Sequence, residues 1–138
     1  MTDPLKASLA ISGLGLEAQS QRMRIVSQNI ANSNTTGNTP GDDPYQRKTI
    51  TFVEALDRAS GVMGVKVARV GVDPSPYTLL HDPNHIAADE SGMVKMPNVD
   101  MLLEMTDMRE TVRSYEANLK TAKQARELIS MTLDMMRS

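Results

Sequence analysis

Hydrophobic positions recur with a helical period at both ends of this chain and with a strand period between them. From Leu9 an apolar residue returns at every seventh position, at Leu16, Met23 and Ile30. Leu5 and Val26 stand in the companion row, which Ser12 and Gln19 weaken. That spacing marks a helix with a coiled-coil-like seam, softened by Gly13 and Gly15. Asp3-Pro4 offers an N-cap and a proline at the first helical position, where the missing N–H would have no partner anyway. A second apolar row, Ile11, Leu14, Ala18 and Ile25, lies on another face. Turn residues gather at Thr36-Gly37, so the helix is predicted to end there, within an N-terminal segment of residues 1–36.

After Pro97 neither glycine nor proline occurs. Alternating steps of four and three read Met101, Met105, Met108, Val112, Tyr115, Leu119, Ala122, Arg126, Ile129, Leu133 and Met136, with Arg126 as the one break. This predicts a long helix in a C-terminal segment, residues 99–138. Arg126 reads as a side chain that snorkels out or selects register. Leu128, Met131 and Met135 add a second row, while Glu104, Arg109, Glu116 and Lys120 read as solvated faces.

Residues 37–98 differ. Asn38 to Pro44 is rich in turn formers. Ile50 and Phe52 alternate with polar residues, although Phe52, Val53 and Leu56 would also suit a short helix. Val65 and Val67 are out of phase with Val70 and Val72, which predicts a bulge near Ala68-Arg69. Pro76 to Leu80 suits a strand, and Ile86 to Met96 reads as a hairpin around Asp89-Glu90-Ser91-Gly92. The expected class is mainly α with a small β module, its two long helices paired antiparallel.

Helix length carries the next step. Asn98 to Ser138 would run about 60 Å at ~1.5 Å per residue. A compact chain of this size has a radius of gyration near ~14 Å. The expected molecule is therefore elongated. One pairing buries one row per helix, which leaves the second rows for neighbouring subunits. A closed bundle in which the β module covers those rows remains the alternative. Long helices with little tertiary packing also predict that residues 1–30 and 105–138 are largely unstructured in the free monomer.

Composition supports burial along seams. One Phe, three Tyr and no Trp leave 11 Met to supply bulk, and Met packs adaptably but specifies shape weakly. The net charge is −2 with no basic stripe, so nucleic acid has no electrostatic footprint here. The absence of cysteine excludes disulfides and thiol chemistry. No apolar run is long enough to span a bilayer, and Leu9 to Leu16 lacks the flanks of a cleaved signal. His81 and His85, near Asp82, Asp89 and Glu90, have metal-ligand character, but Pro83 between them breaks the helix that a His-x-x-x-His zinc pair needs. Asp42-Asp43 sits in a turn. No phosphate loop or nucleophile motif occurs. The expectation is no enzyme, no cofactor and no metal.

Asn29-Ile30-Ala31-Asn32-Ser33-Asn34-Thr35-Thr36-Gly37 resembles the N-terminal signature of bacterial flagellar axial rod and hook proteins. In that family a Tyr and a basic residue follow the turn; here they stand as Tyr45 and Arg47, after the insertion Asn38 to Pro44. Pro97, Asn98 and Val99, then Glu104-Met105, then Tyr115 and Asn118, resemble its C-terminal signature, most closely that of proximal rod members. The resemblance implies a structural subunit of the rod, the drive shaft that crosses the periplasm and transmits torque. It implies terminal helices lining an inner tube, an outward-facing middle, and export through the flagellar type III apparatus without signal cleavage. Other rod proteins and further copies of the chain are the implied partners, with surrounding ring proteins as additional candidates. The expected assembly residues are Leu5, Leu9, Leu16, Met23, Val26 and Ile30, with Met105, Met108, Val112, Tyr115, Leu119, Ile129, Leu133 and Met136. A soluble helical adaptor or export chaperone is the competing class, and a small hydrolase or metal enzyme a third.

Overall fold

The computed structural model describes residues 3–138, so Met1 and Thr2 of the expected N-terminal segment lie outside the described residues. Its elements are α1 (Pro4–Ala31), β1 (Lys48–Asp57), β2 (Val62–Val72), β3 (Thr78–His81), β4 (Met93–Met96) and α2 (Met101–Arg137). The protein is mainly helical with a small β part, as the periodicity predicts.

Both helices start on an aspartate. The Leu5 N–H donates to Asp3 Oδ1 at 3.0 Å, which leaves Pro4 to open α1. Asp100 Oδ1 accepts from the Leu102 and Leu103 N–H groups at 3.0 and 3.4 Å, so α2 begins at Met101. The end of α1 departs from expectation, because the helix stops at Ala31 and not near Thr36-Gly37. Asn32 turns its amide back to the Gln28 carbonyl at 2.8 Å, and the Thr35 N–H reaches the Asn32 carbonyl at 3.1 Å. A side chain that bonds its own backbone competes with the next helical turn.

The residues cluster into two compact units. The first comprises Met1–Met23, Thr51–Arg69 and Arg109–Ser138. Within it the helices run in opposite directions, with Gly15 beside Asn118 and the Arg22 guanidinium 3.5 Å from Glu110. A Cβ added at Gly15 would lie 2.8–2.9 Å from the Asn118 amide, so that amide packs directly on α1 where the glycine has no side chain. Ser12, Ala18, Thr111, Ala122 and Ala125 are the buried residues of these helix segments. The seam is thus small and polar rather than leucine-rich.

The hairpin end of β1 and β2 also belongs to this unit. Phe52 to Leu56 is strand, not helix. The Gly61 N–H closes the tip on the Asp57 carbonyl at 2.7 Å, and Gly61 has φ 73°, where a side chain would be strained. Gly64 rests against the Leu14 side chain of α1. Val62 and Gly64 are the buried positions of β2, whereas Val65, Val70 and Val72 are exposed.

The second unit comprises Arg24–Ile50 and Val70–Met108. In it β3 pairs antiparallel with β4, Thr78 opposite Met96 and His81 opposite Met93. The expected turn at Asp89 to Gly92 is present, with Asp89 Oδ1 accepting from the Ser91 and Met93 N–H groups at 2.9 Å each. The hairpin's first strand, however, is Thr78–His81; Ile86 lies in the intervening loop. Val94 is fully buried, and Leu79, Leu80 and Ile86 are exposed.

Candidate functional site

The second unit contains a polar network centred on Asn29 and Glu104. Asn29, on the last turn of α1, is almost wholly buried. Its Nδ2 donates to the Lys48 carbonyl and its Oδ1 accepts from the Lys48 N–H, both at 2.9 Å. The side chain thus pairs with β1 as a peptide group would, which needs a donor and an acceptor on one planar amide. The Tyr45 phenol donates to the same Oδ1 at 2.7 Å, and Asn29 Nδ2 lies 3.5 Å from Glu104 Oε2.

Glu104 has no solvent exposure, so its assignment to a solvated face was incorrect. It sits in the first turn of α2, where the helix dipole favours a carboxylate. Arg47 Nε donates to its Oε1. The same guanidinium reaches Asp73 Oδ2 at 3.5 Å and Asp107 Oδ2 at 3.6 Å. Asn98 completes the frame: its Oδ1 accepts from the Arg47 N–H at 2.8 Å, and its Nδ2 donates to the Asp73 and Ser75 carbonyls at 3.0 Å each. A buried carboxylate is tolerated only when paired and hydrogen-bonded, and these partners supply that.

The titration behaviour follows from this geometry. Burial alone would lower the Arg47 pKa. The bond to Glu104 and the charges of Glu104, Asp73 and Asp107 outweigh burial and hold it above its ordinary value. Burial, then the Glu104 charge, raises the Tyr45 phenol, with Arg47 opposing. Hydrogen bonds from Ser75, more than the Arg47 charge, hold the Asp73 carboxyl low.

The turn between α1 and β1 is closed across its insertion. The Tyr45 N–H donates to the Thr35 carbonyl at 2.9 Å, which brings the ends of the loop together. Asp42 folds back so closely on Gly37 that a Cβ there would collide with it, and Thr36 Oγ1 donates to the Gly37 carbonyl at 3.2 Å. Pro44 is buried, while residues 38–43 are exposed.

The expected site residues fall into two groups. Asn29, Tyr45, Arg47 and Asn98 meet in the network; Asn32, Thr36 and Gly37 shape the turn; Pro97 is buried, Val99 half-buried and Ala31 exposed. Asn118 packs at Gly15 and donates to the Ser114 carbonyl at 3.0 Å. Of the apolar rows, Val26 is buried; Leu5, Leu9, Leu16, Met23, Ile30, Met108, Tyr115, Leu119 and Ile129 are half-buried; Met105, Val112, Leu133 and Met136 are exposed. The pattern reading missed Glu104, Asp73, Asp107 and Lys48 as partners. A signal was available: Glu104, Thr111, Asn118 and Ala125 recur every seventh residue, as do Gly15, Arg22 and Asn29.

Residues 9–41 match the family model described as "Flagella basal body rod protein", and residues 90–135 match "Flagellar basal body rod FlgEFG protein C-terminal". The flagellar basal-body rod protein FlgC of Agrobacterium fabrum is 55% identical over 136 residues, which cover 99% of this chain and 98% of that relative. The chain belongs to the FlgC family of flagellar basal-body rod proteins. FlgC of Yersinia enterocolitica is 37% identical over 126 residues, 91% of this chain and 92% of the relative. FlgC of Borreliella burgdorferi is 33% identical over 150 residues, covering 96% and 97%. This FlgC-family chain is a structural subunit of the bacterial flagellar rod. The two regions that match family models meet in the network, since Asn29 belongs to the first and Asn98 and Glu104 to the second. Among the described residues no helix is long and apolar enough to cross a membrane. His85 Nδ1 accepts from the Ala87 N–H at 3.0 Å, and no group of three or more His, Asp or Glu in the described residues is placed to hold a metal ion.

Proposed function

We propose that this FlgC-family subunit joins the rod through the apolar rows of its terminal helices, and that it acts mechanically, without a catalytic step. Its neighbours in this reading are other rod proteins and further copies of itself. The helical segments line an inner tube, the β strands face outward toward surrounding ring proteins, and the subunit reaches the periplasm through the flagellar type III apparatus with no cleaved signal. One observation carries the reading. The pairing of helices in the first unit uses Thr111, Asn118, Ala122 and Ala125, while Val112 and Leu133 in the adjacent row stay 37% and 53% exposed. Small and polar residues supply the buried positions of the helix segments in the first unit, which leaves the exposed Val112, Leu133 and Met136 for neighbours. The network around Glu104 supports this role by holding the end of α1, the start of β1 and the start of α2 in one geometry.

Leu119→Asp tests it. Closing the seam would desolvate the new carboxylate, at several kcal/mol for an unpaired buried charge. The variant is expected to be exported but absent from isolated basal bodies, with motility lost in soft agar. Lys120→Gln, on the exposed side, changes at most about 0.3–0.5 kcal/mol and should build normal rods. Exported Leu119→Asp that builds normal rods would overturn the assignment.

A further inference from the structure

We propose that Met131, Met135 and Met136, on the last turns of α2, form a peroxide-sensitive modification site, and that their oxidation to the sulfoxide bars the free subunit from the rod. The inference rests on the assembly reading above.

The chain has 11 methionines and no cysteine, so no thiol competes for an oxidant. A thioether needs no deprotonation to react, so access to its sulfur governs its rate. Access is uneven here. Met131, Met135 and Met136 are 60%, 76% and 78% exposed, Met63, Met105 and Met101 are 56%, 50% and 36% exposed, and Met23, Met93, Met96 and Met108 are half-buried. Thr132 and Leu133 complete a C-terminal stretch in which every residue from Met131 to Ser138 is exposed.

The chemistry is a two-electron oxygen transfer. A sulfur lone pair attacks one oxygen of hydrogen peroxide, the S–O bond forms, and the O–O bond breaks. The departing hydroxide takes the remaining peroxide proton and leaves as water. Sulfur is oxidised and peroxide reduced. The product replaces a flexible apolar tip with a polar S=O acceptor. In water this changes little. In a closed seam the new acceptor must find a donor or lose its hydration, and a face of Met, Leu and Thr offers few donors. Once the subunit is in the rod, burial of the same sulfurs protects them. The window of sensitivity is thus the interval between synthesis and incorporation, and methionine sulfoxide reductases can reverse the lesion before export.

The test begins with the purified full chain and hydrogen peroxide, with sulfoxide measured at each methionine by peptide mass spectrometry. Met131, Met135 and Met136 should oxidise several-fold faster than Met23 and Met108. Three variants then separate the consequences in cells. Replacing all three methionines with leucine should build rods and keep building them through sublethal peroxide pulses that reduce wild-type rods. Replacing all three with glutamine, polar and of similar length, should give exported subunit that stays out of rods. Met63→Gln serves as the control, because Met63 is 56% exposed on the hairpin and off both helices; it should build normal rods. The inference is overturned if the three sulfurs react no faster than Met23 and Met108. It is also overturned if the triple glutamine variant enters rods, or if peroxide reduces rods equally in the triple leucine variant. A failure of the assembly reading itself appears separately, as normal rods from Leu119→Asp.

Discussion

Asn29→Asp exchanges one NH2 for one oxygen and reverses the logic of the central network. The wild-type amide donates to the Lys48 carbonyl at 2.9 Å and approaches Glu104 Oε2 at 3.5 Å. An ionised aspartate loses both donors and sets two carboxylates at that distance. At an effective dielectric constant near 20 their repulsion is about 5 kcal/mol. Taking up a proton at pH 7 costs an aspartate of ordinary pKa near 4 about 4 kcal/mol, so protonation caps the penalty. Arg47, bonded to Glu104, offsets part of the repulsion. The expected loss of stability at pH 7 is therefore about 2–4 kcal/mol. The sign with pH follows directly. The carboxyl that the variant carries in place of the amide has a folded-state pKa raised above its unfolded value of about 4, so the deficit is absent below that pH. It grows by up to about 1.4 kcal/mol per pH unit until the folded-state value is passed. Urea unfolding followed by circular dichroism at pH 5 and pH 7 measures both. Asn29→Ser removes the same amide without adding charge and should show a deficit independent of pH in this range. A deficit for Asn29→Asp below about 1 kcal/mol at pH 7, or one that does not shrink at pH 5, would refute the buried-network account.

Gly13→Ala should stabilise the protein by about 0.5–1 kcal/mol, since an added Cβ there meets nothing within 4 Å and alanine is the better helix former. Gly15→Ala should destabilise it by about 1–2 kcal/mol, because overpacking against Asn118 exceeds the same propensity gain; Asn118→Ser should relieve much of that loss. Both are read from denaturation midpoints. The raised Tyr45 pKa makes its contribution to stability complete below pH ~10 and lost as pH rises through the folded-state value, and Tyr45→Phe should flatten that alkaline limb in thermal melts from about pH 9 to 11. Hydrogen exchange on the free chain should find the amides of Arg47, Lys48 and Asp73 better protected than those beyond Leu128, where few residues are covered.

The start of α1 was legible because it depends on two adjacent residues, Asp3-Pro4; α2 was placed only as beginning after Pro97, and its cap on Asp100 came from the structure. The end of α1 was not, because it turns on which acceptor the Asn32 side chain selects. Strand periodicity marked the Val65 to Val72 stretch, but it left Phe52 to Leu56 open to a helix and put Ile86 in a hairpin strand it does not join; which side of β2 is covered depends on Gly64 meeting Leu14. The seam is the most instructive case. Apolar periodicity located both helices, and of its row on α2 Met108, Tyr115, Ala122 and Ile129 are covered while Met101, Met105, Val112, Leu133 and Met136 are exposed. It did not reveal that the companion row within the chain is Glu104, Thr111, Asn118 and Ala125. A hydrophobicity pattern is blind to a seam made by close approach and paired charge, because glycine, alanine and a buried glutamate do not register as apolar. The signature residues were visible as a resemblance, yet their physical role required coordinates. Asn29 stands 19 positions from Lys48 and 75 from Glu104 in sequence, and nothing local links them.

The central claim is that the apolar row beside the intramolecular seam meets other rod subunits. The chain has no cysteine, so one introduced residue gives one reactive site. Val112→Cys places it on that row, and Lys120→Cys places it on the exposed polar side. Each purified variant is labelled with a thiol-reactive reagent free in solution, and each is challenged again within isolated basal bodies using a short bifunctional crosslinker. Both thiols are expected to react in the free subunit. In basal bodies the Val112→Cys thiol should become protected and should crosslink to a second rod subunit. A Val112→Cys thiol that stays open to labelling in basal bodies, with crosslinks found from Lys120→Cys instead, would contradict the claim.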